Sequence, residues 1–232
     1  MKIKGILFDK DGTLFDFQRT WGWWFDQVIS ELSEGSQAIK AELAESCGYD
    51  LAGQRFVSGS IIVIATAKEV NDALASCLPG KNAQDIDEVA LRYVTGIPNY
   101  PVCDLHMLLQ FLRDDGMALG LATNDYHTGA EVQLNAAGIR DHFEFVCGYD
   151  SGYGGKPGTG MIEGFCNVTG LNPDQVAVVG DSAHDLQAGI SANVGMTIGV
   201  LTGPALADEL LPYASTVLTD ISELPQFLGL SA

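Results

Sequence analysis

The chain begins with an apolar run, Ile3 to Phe8, that stops at the charged turn Asp9-Lys10-Asp11-Gly12-Thr13. A continuous apolar run of this length, ended by a turn signal, is typical of a strand that is buried on both faces of a parallel sheet. We therefore expect a buried first strand with two aspartates directly after its carboxyl end.

Four more apolar runs of this kind follow, and stretches with helical spacing of apolar residues separate them. The predicted strands are Ala118–Ala122, Phe143–Cys147, Val176–Val179 and Thr197–Leu201. The predicted helices between them are Asp104–Asp114, Thr128–Ala137, Gly160–Thr169 and Asp185–Asn193. Strands that alternate with helices in this way predict an α/β fold, a Rossmann-like parallel sheet with helices on both faces.

Roughly a hundred residues lie between the first predicted strand and the second, too many for a structureless loop inside a compact domain. Apolar residues recur there at helical spacing in Trp21–Leu32, Gln37–Cys47 and Lys68–Leu78. A proline-containing stretch, Gly96 to Pro101, suits the passage back to the sheet. We expect a small helical domain over residues 17–97, inserted into a core domain that comprises residues 1–16 and 98–232.

The composition excludes several classes of partner. Thirty acidic residues against twelve basic ones give a formal net charge of -18, which repels nucleic acid and anionic membrane surfaces. The longest apolar run, Ile61 to Ala65, is far shorter than the ~20 residues of a membrane-spanning helix. The five cysteines are scattered without a C-x-x-C pair, which favours reduced thiols and a cytoplasmic protein.

Polar residues gather after the predicted strands, where open parallel sheets bind their ligands. They are Asp9, Asp11, Thr123, Asn124, Lys156, Asp181 and Asp185. Taken singly, Thr123 or Asn124 is an ordinary turn residue and Lys156 an ordinary loop residue. The aspartates are different, because Asp9 and Asp11 point the same way along an extended chain and would repel without a cation between them. With two more aspartates at a neighbouring strand end, the pattern predicts a site for a hard divalent cation such as Mg²⁺.

Four separated stretches resemble, in the right order, the motifs of the haloacid dehalogenase superfamily. They are Phe8–Leu14, Thr123-Asn124, Lys156-Pro157 and Gly180–Asp185. The long insert between the first two is similar to the helical cap of the phosphoglycolate phosphatase-like branch. The residue between the two aspartates is more often apolar in such enzymes. Here it is Lys10, which we interpret as a variation without mechanistic consequence.

The resemblance implies a phosphatase that hydrolyses a small-molecule phosphate ester through an aspartyl-phosphate intermediate. It implies that Asp9 is the nucleophile and that Asp11 is the general acid and base. Mg²⁺ would be held by the Asp9 carboxylate, the Asp11 backbone carbonyl and Asp181.

The remaining residues of the four motifs would act on the transferring phosphoryl group. Thr123 and Asn124 would donate hydrogen bonds to its oxygens, and Lys156 would neutralise its charge and that of the nucleophile. Asp185 would orient Lys156 or a metal-bound water.

Two alternatives stay open at this point. A β-phosphoglucomutase-like phosphotransferase would carry the same four motifs. A catalytically silent binding protein on this fold would have lost a motif residue, and none is lost. A dehalogenase is disfavoured because Asp11 supplies an acid and base that carbon–halogen cleavage does not use. The sequence leaves the physiological substrate and the oligomeric state open.

Overall fold

The computed structural model describes residues 2–57, 59–65, 67–94 and 96–230. The chain divides into two compact units. The core unit consists of the two ends of the chain, up to Asp16 and from Pro101 onward, and the insert unit is Phe17–Tyr100. The role of the insert unit as a cap stays a prediction.

The core unit starts with strand β1 (Gly5–Phe8), all four residues of which are buried. The chain leaves the core just beyond the turn that follows β1 and returns beside its point of departure. Phe15 forms an antiparallel bridge with Pro101, and the Val102 N–H donates to the Leu14 carbonyl at 3.1 Å. The insertion point is therefore fixed only a few residues after Asp9 and Asp11.

The described part of the insert unit is mainly helical, with one short hairpin. Its elements are α1 (Phe17–Leu32), α2 (Gln37–Ser46), β2 (Tyr49–Asp50), β3 (Arg55–Phe56), α3 (Ile61–Ile64), α4 (Ala67–Ser76) and α5 (Ala83–Val94). They share a buried apolar cluster that includes Phe25, Ile29, Leu43, Leu74 and Ile86. The three predicted helices correspond to α1, α2 and α4, whereas the hairpin, α3 and α5 were not predicted.

The core unit resumes with alternating helices and strands. They are α6 (Leu105–Asp114), β4 (Ala118–Ala122), α7 (His127–Ala136), β5 (Phe145–Cys147), α8 (Gly160–Thr169), β6 (Val176–Gly180), α9 (Ala183–Ser191), β7 (Met196–Val200), α10 (Ala207–Leu210), β8 (Thr216–Leu218) and α11 (Leu224–Phe227). The last strand and helices α10 and α11 have only three or four residues each, which is too short for a clear periodic pattern. Within the described residues, no helix combines the length and apolarity needed to cross a membrane.

The six strands of the core form one parallel sheet in the order β5-β4-β1-β6-β7-β8. In this sheet Phe8 of β1 lies level with Leu121 of β4 and with Val179 of β6. The chain segments that follow these three strands therefore start at the same edge, on either side of Asp9. This arrangement confirms the predicted α/β fold and the predicted parallel sheet.

Alternate residues of β1 point to opposite faces of the sheet, as the geometry of a strand requires. Ile6 and Phe8 join an apolar cluster with residues of α6 and α7, and Leu7 joins another with residues of α8. Helices thus cover both faces, as predicted. Polar side chains lie at the carboxyl ends of the strands.

Candidate active site

The turn after β1 is shaped by backbone hydrogen bonds. The Asp9 N–H donates to the Val179 carbonyl at 2.8 Å, which continues the pairing of β1 with β6 past the end of the strand. Three residues later the chain reverses, and the Gly12 N–H donates to the Phe15 carbonyl at 2.7 Å. Gly12 has a φ of +85°, in the left-handed region that favours glycine. The turn therefore depends on glycine at this position.

Three buried carboxylates from two neighbouring strand ends meet at this edge. One oxygen from each of Asp9, Asp181 and Asp185 can be chosen so that all three lie within 4.8 Å of one another. The Lys156 ammonium lies among them, 2.5 Å from Asp9 Oδ1 and in contact with Asp185 Oδ1, and it donates to the Ala122 carbonyl at 3.0 Å. When ionised, three carboxylates beside one ammonium leave two negative charges uncompensated in the cluster.

The cluster is electrostatically strained without a cation. Burial raises the pKa of Asp9 to about 7, with Lys156 opposing this effect and Asp185 adding to it. Burial also raises the pKa of Asp181 well above its usual range, and the charges of Asp9 and Asp185 raise it further. A divalent cation would supply the two missing positive charges, and carboxylate oxygens are the ligands that hard divalent cations prefer. The residues therefore fit a metal ion.

Both oxygens of Asp185 are already engaged. Oδ1 contacts Lys156, while Oδ2 accepts hydrogen bonds from the Ser182 N–H at 3.0 Å and from the Ser182 hydroxyl at 2.6 Å. These contacts place Asp185 in the first turn of α9, held by the residue that caps the helix. Burial alone would lower the pKa of Lys156, but the carboxylates of Asp185 and Asp9 raise it overall. Lys156 is therefore cationic in the site.

The segment after β4 supports Lys156 from the other side. The Asn124 side chain accepts a hydrogen bond from the Lys156 N–H at 2.8 Å and donates one to the Lys156 carbonyl at 3.1 Å. Thr123 is buried, and its hydroxyl oxygen accepts from the Asp125 N–H at 3.1 Å, a contact that does not use the hydroxyl proton. The predicted contacts of Thr123 and Asn124 with a phosphoryl group stay predictions.

The sequence analysis missed two residues, one of which packs against Asp181 and one of which contacts Gly12. Thr202 and Gly203 follow β7, and the Thr202 hydroxyl donates to the Gly12 carbonyl at 2.6 Å. A Cβ at Gly203 would lie 1.7 Å from Asp181 Oδ2, and one at Gly12 would lie 2.4 Å from the same atom. The sequence carries a signal for them, because the turn residues Thr202-Gly203-Pro204 follow the fifth predicted strand.

The side chain of Lys10 makes contacts that the sequence did not predict. It is only 1% exposed, and its ammonium lies 2.7 Å from Asp11 Oδ2 and 3.1 Å from Asp125 Oδ2. It also donates to Gln133 Oε1 at 2.6 Å. Burial alone would lower the pKa of Lys10, but the two carboxylates raise it overall. The buried Lys10 ammonium therefore forms an ion pair with the carboxylate of Asp11.

Comparisons with known proteins show the family to which the chain belongs. The family model of haloacid dehalogenase-like hydrolases matches residues 3–193. The phosphoglycolate phosphatase of Psychrobacter arcticus is 31% identical over 229 residues, which cover 96% of this chain and 94% of the relative. That of Yersinia pestis is 26% identical over 242 residues, which cover 98% and 94%.

A solved structure gives the same result for the fold. The crystal structure of a HAD family hydrolase from Deinococcus radiodurans, with bound phosphate and sodium, superposes with a TM-score of 0.71 at 23% identity, covering 98% of this chain and 95% of that one. The family model matches well over half of the chain. The chain therefore belongs to the haloacid dehalogenase-like hydrolase family, within which it is similar to phosphoglycolate phosphatases.

Proposed function

We propose that this protein is a Mg²⁺-dependent phosphatase that hydrolyses a small phosphorylated metabolite through an aspartyl-phosphate on Asp9. The observation that carries the proposal is the buried cluster of Asp9, Asp181 and Asp185 around Lys156. A phosphate ester repels nucleophiles through its own negative oxygens, so its hydrolysis needs positive charge and a positioned nucleophile. The cluster offers both.

The metal would be held by the Asp9 carboxylate, the Asp11 backbone carbonyl and the Asp181 carboxylate. The cluster contains oxygen donors only, which favours Mg²⁺ over softer metals. When bound, Mg²⁺ supplies positive charge that offsets both the carboxylates and the phosphoryl oxygens. Gly12 and Gly203 leave no room for side chains around Asp181, so its carboxylate is confined.

Hydrolysis of the ester by these residues would proceed through two successive displacements at phosphorus. In the first, an Asp9 oxygen attacks, the bond from phosphorus to the ester oxygen breaks, and Asp11 donates a proton to the departing alcohol. In the second, Asp11 takes a proton from water, the water oxygen attacks phosphorus, and the bond to Asp9 breaks. Inorganic phosphate leaves, and Asp9 and Asp11 return to their starting states.

Lys156 and its neighbours would hold the reacting groups in place. The Lys156 ammonium contacts Asp9 Oδ1, so it can fix the nucleophile and neutralise charge on the transferring group. Asp185 orients Lys156 through its side chain, and Asn124 orients it through its backbone. We propose that Thr123 donates its hydroxyl proton to a phosphoryl oxygen.

The substrate class follows from the relatives and from charge. Relatives over most of the chain are named phosphoglycolate phosphatase, so phosphoglycolate and other small phosphorylated acids or sugars are the first candidates. The net charge of -18 disfavours phosphoproteins and nucleic acids, because large polyanions are repelled before they dock.

The test is phosphate release across a panel of phosphorylated metabolites, with Mg²⁺, with excess chelator, and with Mg²⁺ restored. We expect release that chelator abolishes and Mg²⁺ restores, and none from an Asp9→Asn variant that is still folded. Full activity in excess chelator would refute the metal assignment. Transfer of the phosphoryl group to a sugar hydroxyl in preference to water would refute a phosphatase in favour of a phosphotransferase.

A further inference from the structure

We propose that Lys10 is a positioning residue for proton transfer: it holds one oxygen of the Asp11 carboxylate and thereby aims the other at the reacting ester. The inference rests on the proposed function, because it concerns the acid and base of that reaction. It assigns a task to the residue between the two aspartates of the first motif.

The two oxygens of Asp11 have different surroundings. Oδ2 lies 2.7 Å from the Lys10 ammonium. Oδ1 is buried and has no hydrogen-bond partner within the described ranges. A carboxyl group that must give and later take a proton needs one oxygen free of competing donors and a fixed orientation for it. The contact with Lys10 fixes the orientation of the carboxylate through Oδ2 and leaves Oδ1 available for proton transfer.

Lys10 is itself held from two directions. Asp125 Oδ2 lies 3.1 Å from its ammonium, and Gln133 Oε1 accepts from it at 2.6 Å. Asp125 is anchored in turn, because its Oδ1 accepts from the Tyr126 N–H at 2.7 Å and its N–H donates to the Thr123 hydroxyl oxygen at 3.1 Å. The ammonium therefore joins Asp11 to the segment that carries Thr123 and, through Gln133, to α7.

Removal of this charge would leave two carboxylates facing each other. Asp11 and Asp125 both lie within about 3 Å of the same ammonium, so without it they would repel one another and lose their common anchor. Asp11 would then swing away from its working orientation. A misplacement of about 1 Å in a reacting group can cost ~10²-fold in rate.

Substrates with different leaving groups can distinguish a role of Lys10 in positioning Asp11 from a general role in stabilising the fold. An alkyl ester leaves as a strongly basic alkoxide and needs the proton from Asp11, whereas p-nitrophenolate leaves readily as an anion. The value of kcat/KM reports on the steps from free protein and substrate up to departure of the alcohol. Impaired proton donation by Asp11 therefore lowers kcat/KM for alkyl esters far more than for p-nitrophenyl phosphate. A general loss of packing lowers both to a similar extent.

The experiment measures kcat/KM for glycerol 2-phosphate and for p-nitrophenyl phosphate with Mg²⁺ present, in the full-length protein. We expect Lys10→Met to lose ~10²-fold toward the alkyl ester and at least about tenfold less toward the aryl ester. Lys10→Arg should recover part of the loss, because it keeps the charge. In an Asp11→Asn background, Lys10→Met should add no more than about twofold, since both changes then act on one function.

The matched control is Arg140→Met, which also removes a cationic side chain that contacts α7, at a place away from Lys10. The Arg140 guanidinium lies 2.7 Å from Glu131 Oε2, and Glu131 is on the same helix as Gln133. We expect similar, small effects on both esters. If Lys10→Met does not fold, Gln133→Leu, which removes the 2.6 Å contact to the ammonium, should show the same selectivity on a smaller scale.

An equal loss on both esters, or full additivity of Lys10→Met with Asp11→Asn, would overturn the inference and leave the proposed function standing. So would a Gln133→Leu variant that loses activity equally on both esters. If the unmodified protein releases phosphate from neither ester nor from any metabolite of the panel, the proposed function fails and this inference fails with it.

Discussion

Gly203 packs so closely against Asp181 that a Cβ at Gly203 would lie 1.7 Å from the Asp181 Oδ2 atom. Gly12, which comes from the opposite end of the core sequence, approaches the same oxygen, and the Thr202 hydroxyl ties the two segments together through the Gly12 carbonyl. Two backbone segments without side chains therefore enclose one carboxylate. Larger side chains at these two positions would displace the Asp181 carboxylate.

We expect Gly12→Ala to weaken Mg²⁺ binding by about tenfold or more, because the added methyl group must displace Asp181. Gly138→Ala is the matched control. Both glycines have positive φ, +85° and +69°, but nothing lies within 4 Å of a Cβ at Gly138. The left-handed backbone should cost each variant about 1–2 kcal/mol of stability, and Gly12→Ala should lose more because its Cβ would also lie 2.9 Å from the Gly203 Cα.

Two measurements separate these effects: thermal unfolding for stability, and the Mg²⁺ concentration needed for half-maximal phosphate release. Equal Mg²⁺ requirements for the two variants would show that the contact of Gly12 with Asp181 does not matter for the metal.

The second prediction concerns the stability of the metal-free protein. Burial raises the pKa of Asp9 from 3.8 to about 7, so the folded state holds more protons than the unfolded state between these values. The contribution of Asp9 to the free energy of unfolding should then fall as pH rises from about 4 to about 7, and level off above. Asp9→Asn should lack this decrease, so the difference between the two proteins in chelator isolates it.

The stabilisation of the protein by Mg²⁺ should have the opposite pH dependence and increase as pH rises. The cation binds ionised carboxylates, so the rise in melting temperature on adding Mg²⁺ should be larger at about pH 7.5 than at about pH 5. A larger rise at the lower pH, or a stability difference between wild type and Asp9→Asn that does not change with pH, would contradict the assignment of charge in the cluster.

The third prediction concerns Asp185. An Asp185→Asn variant keeps an oxygen for Lys156 but loses the charge that holds the ammonium, so kcat should fall by about 10–100-fold while the fold is retained. Asp208→Asn, an exposed carboxylate in the first turn of α10, is the control and should leave kcat unaltered. Measured kcat values that are equal in the two variants would show that Asp185 does not position Lys156.

The sequence predicted the parts of the site that depend on strand ends. Asp9, Lys156, Asp181 and Asp185 were expected together because carboxyl ends of parallel strands share one edge, and the structure brings them together. The sheet and the helices on its faces were predicted for a similar reason, since burial on both faces gives continuous apolar runs and a strict alternation of elements.

The parts that could not be predicted depend on contacts between distant residues. The place of Lys10 depends on Asp125 and Gln133, which are more than a hundred positions away in the sequence, and no local pattern reports such a contact. The close packing of Gly203 against Asp181 depends on atomic distances in the folded chain, which the spacing of residues in the sequence cannot reveal. The hairpin of β2 and β3 has two residues per strand, too few for a periodic signal.

If Asp9 becomes phosphorylated during turnover, the phosphorylated protein can be trapped. Asp11→Asn should slow breakdown of the intermediate, so the variant is mixed with Mg²⁺ and p-nitrophenyl phosphate, quenched, reduced with borohydride, digested and analysed by mass spectrometry. Reduction converts an aspartyl-phosphate to homoserine, so phosphorylation of Asp9 predicts homoserine at position 9 that is absent without substrate and absent in the Asp9→Asn, Asp11→Asn double variant. Homoserine at another aspartate, or turnover in Asp11→Asn with aspartate intact at position 9 under every quench time, would contradict it.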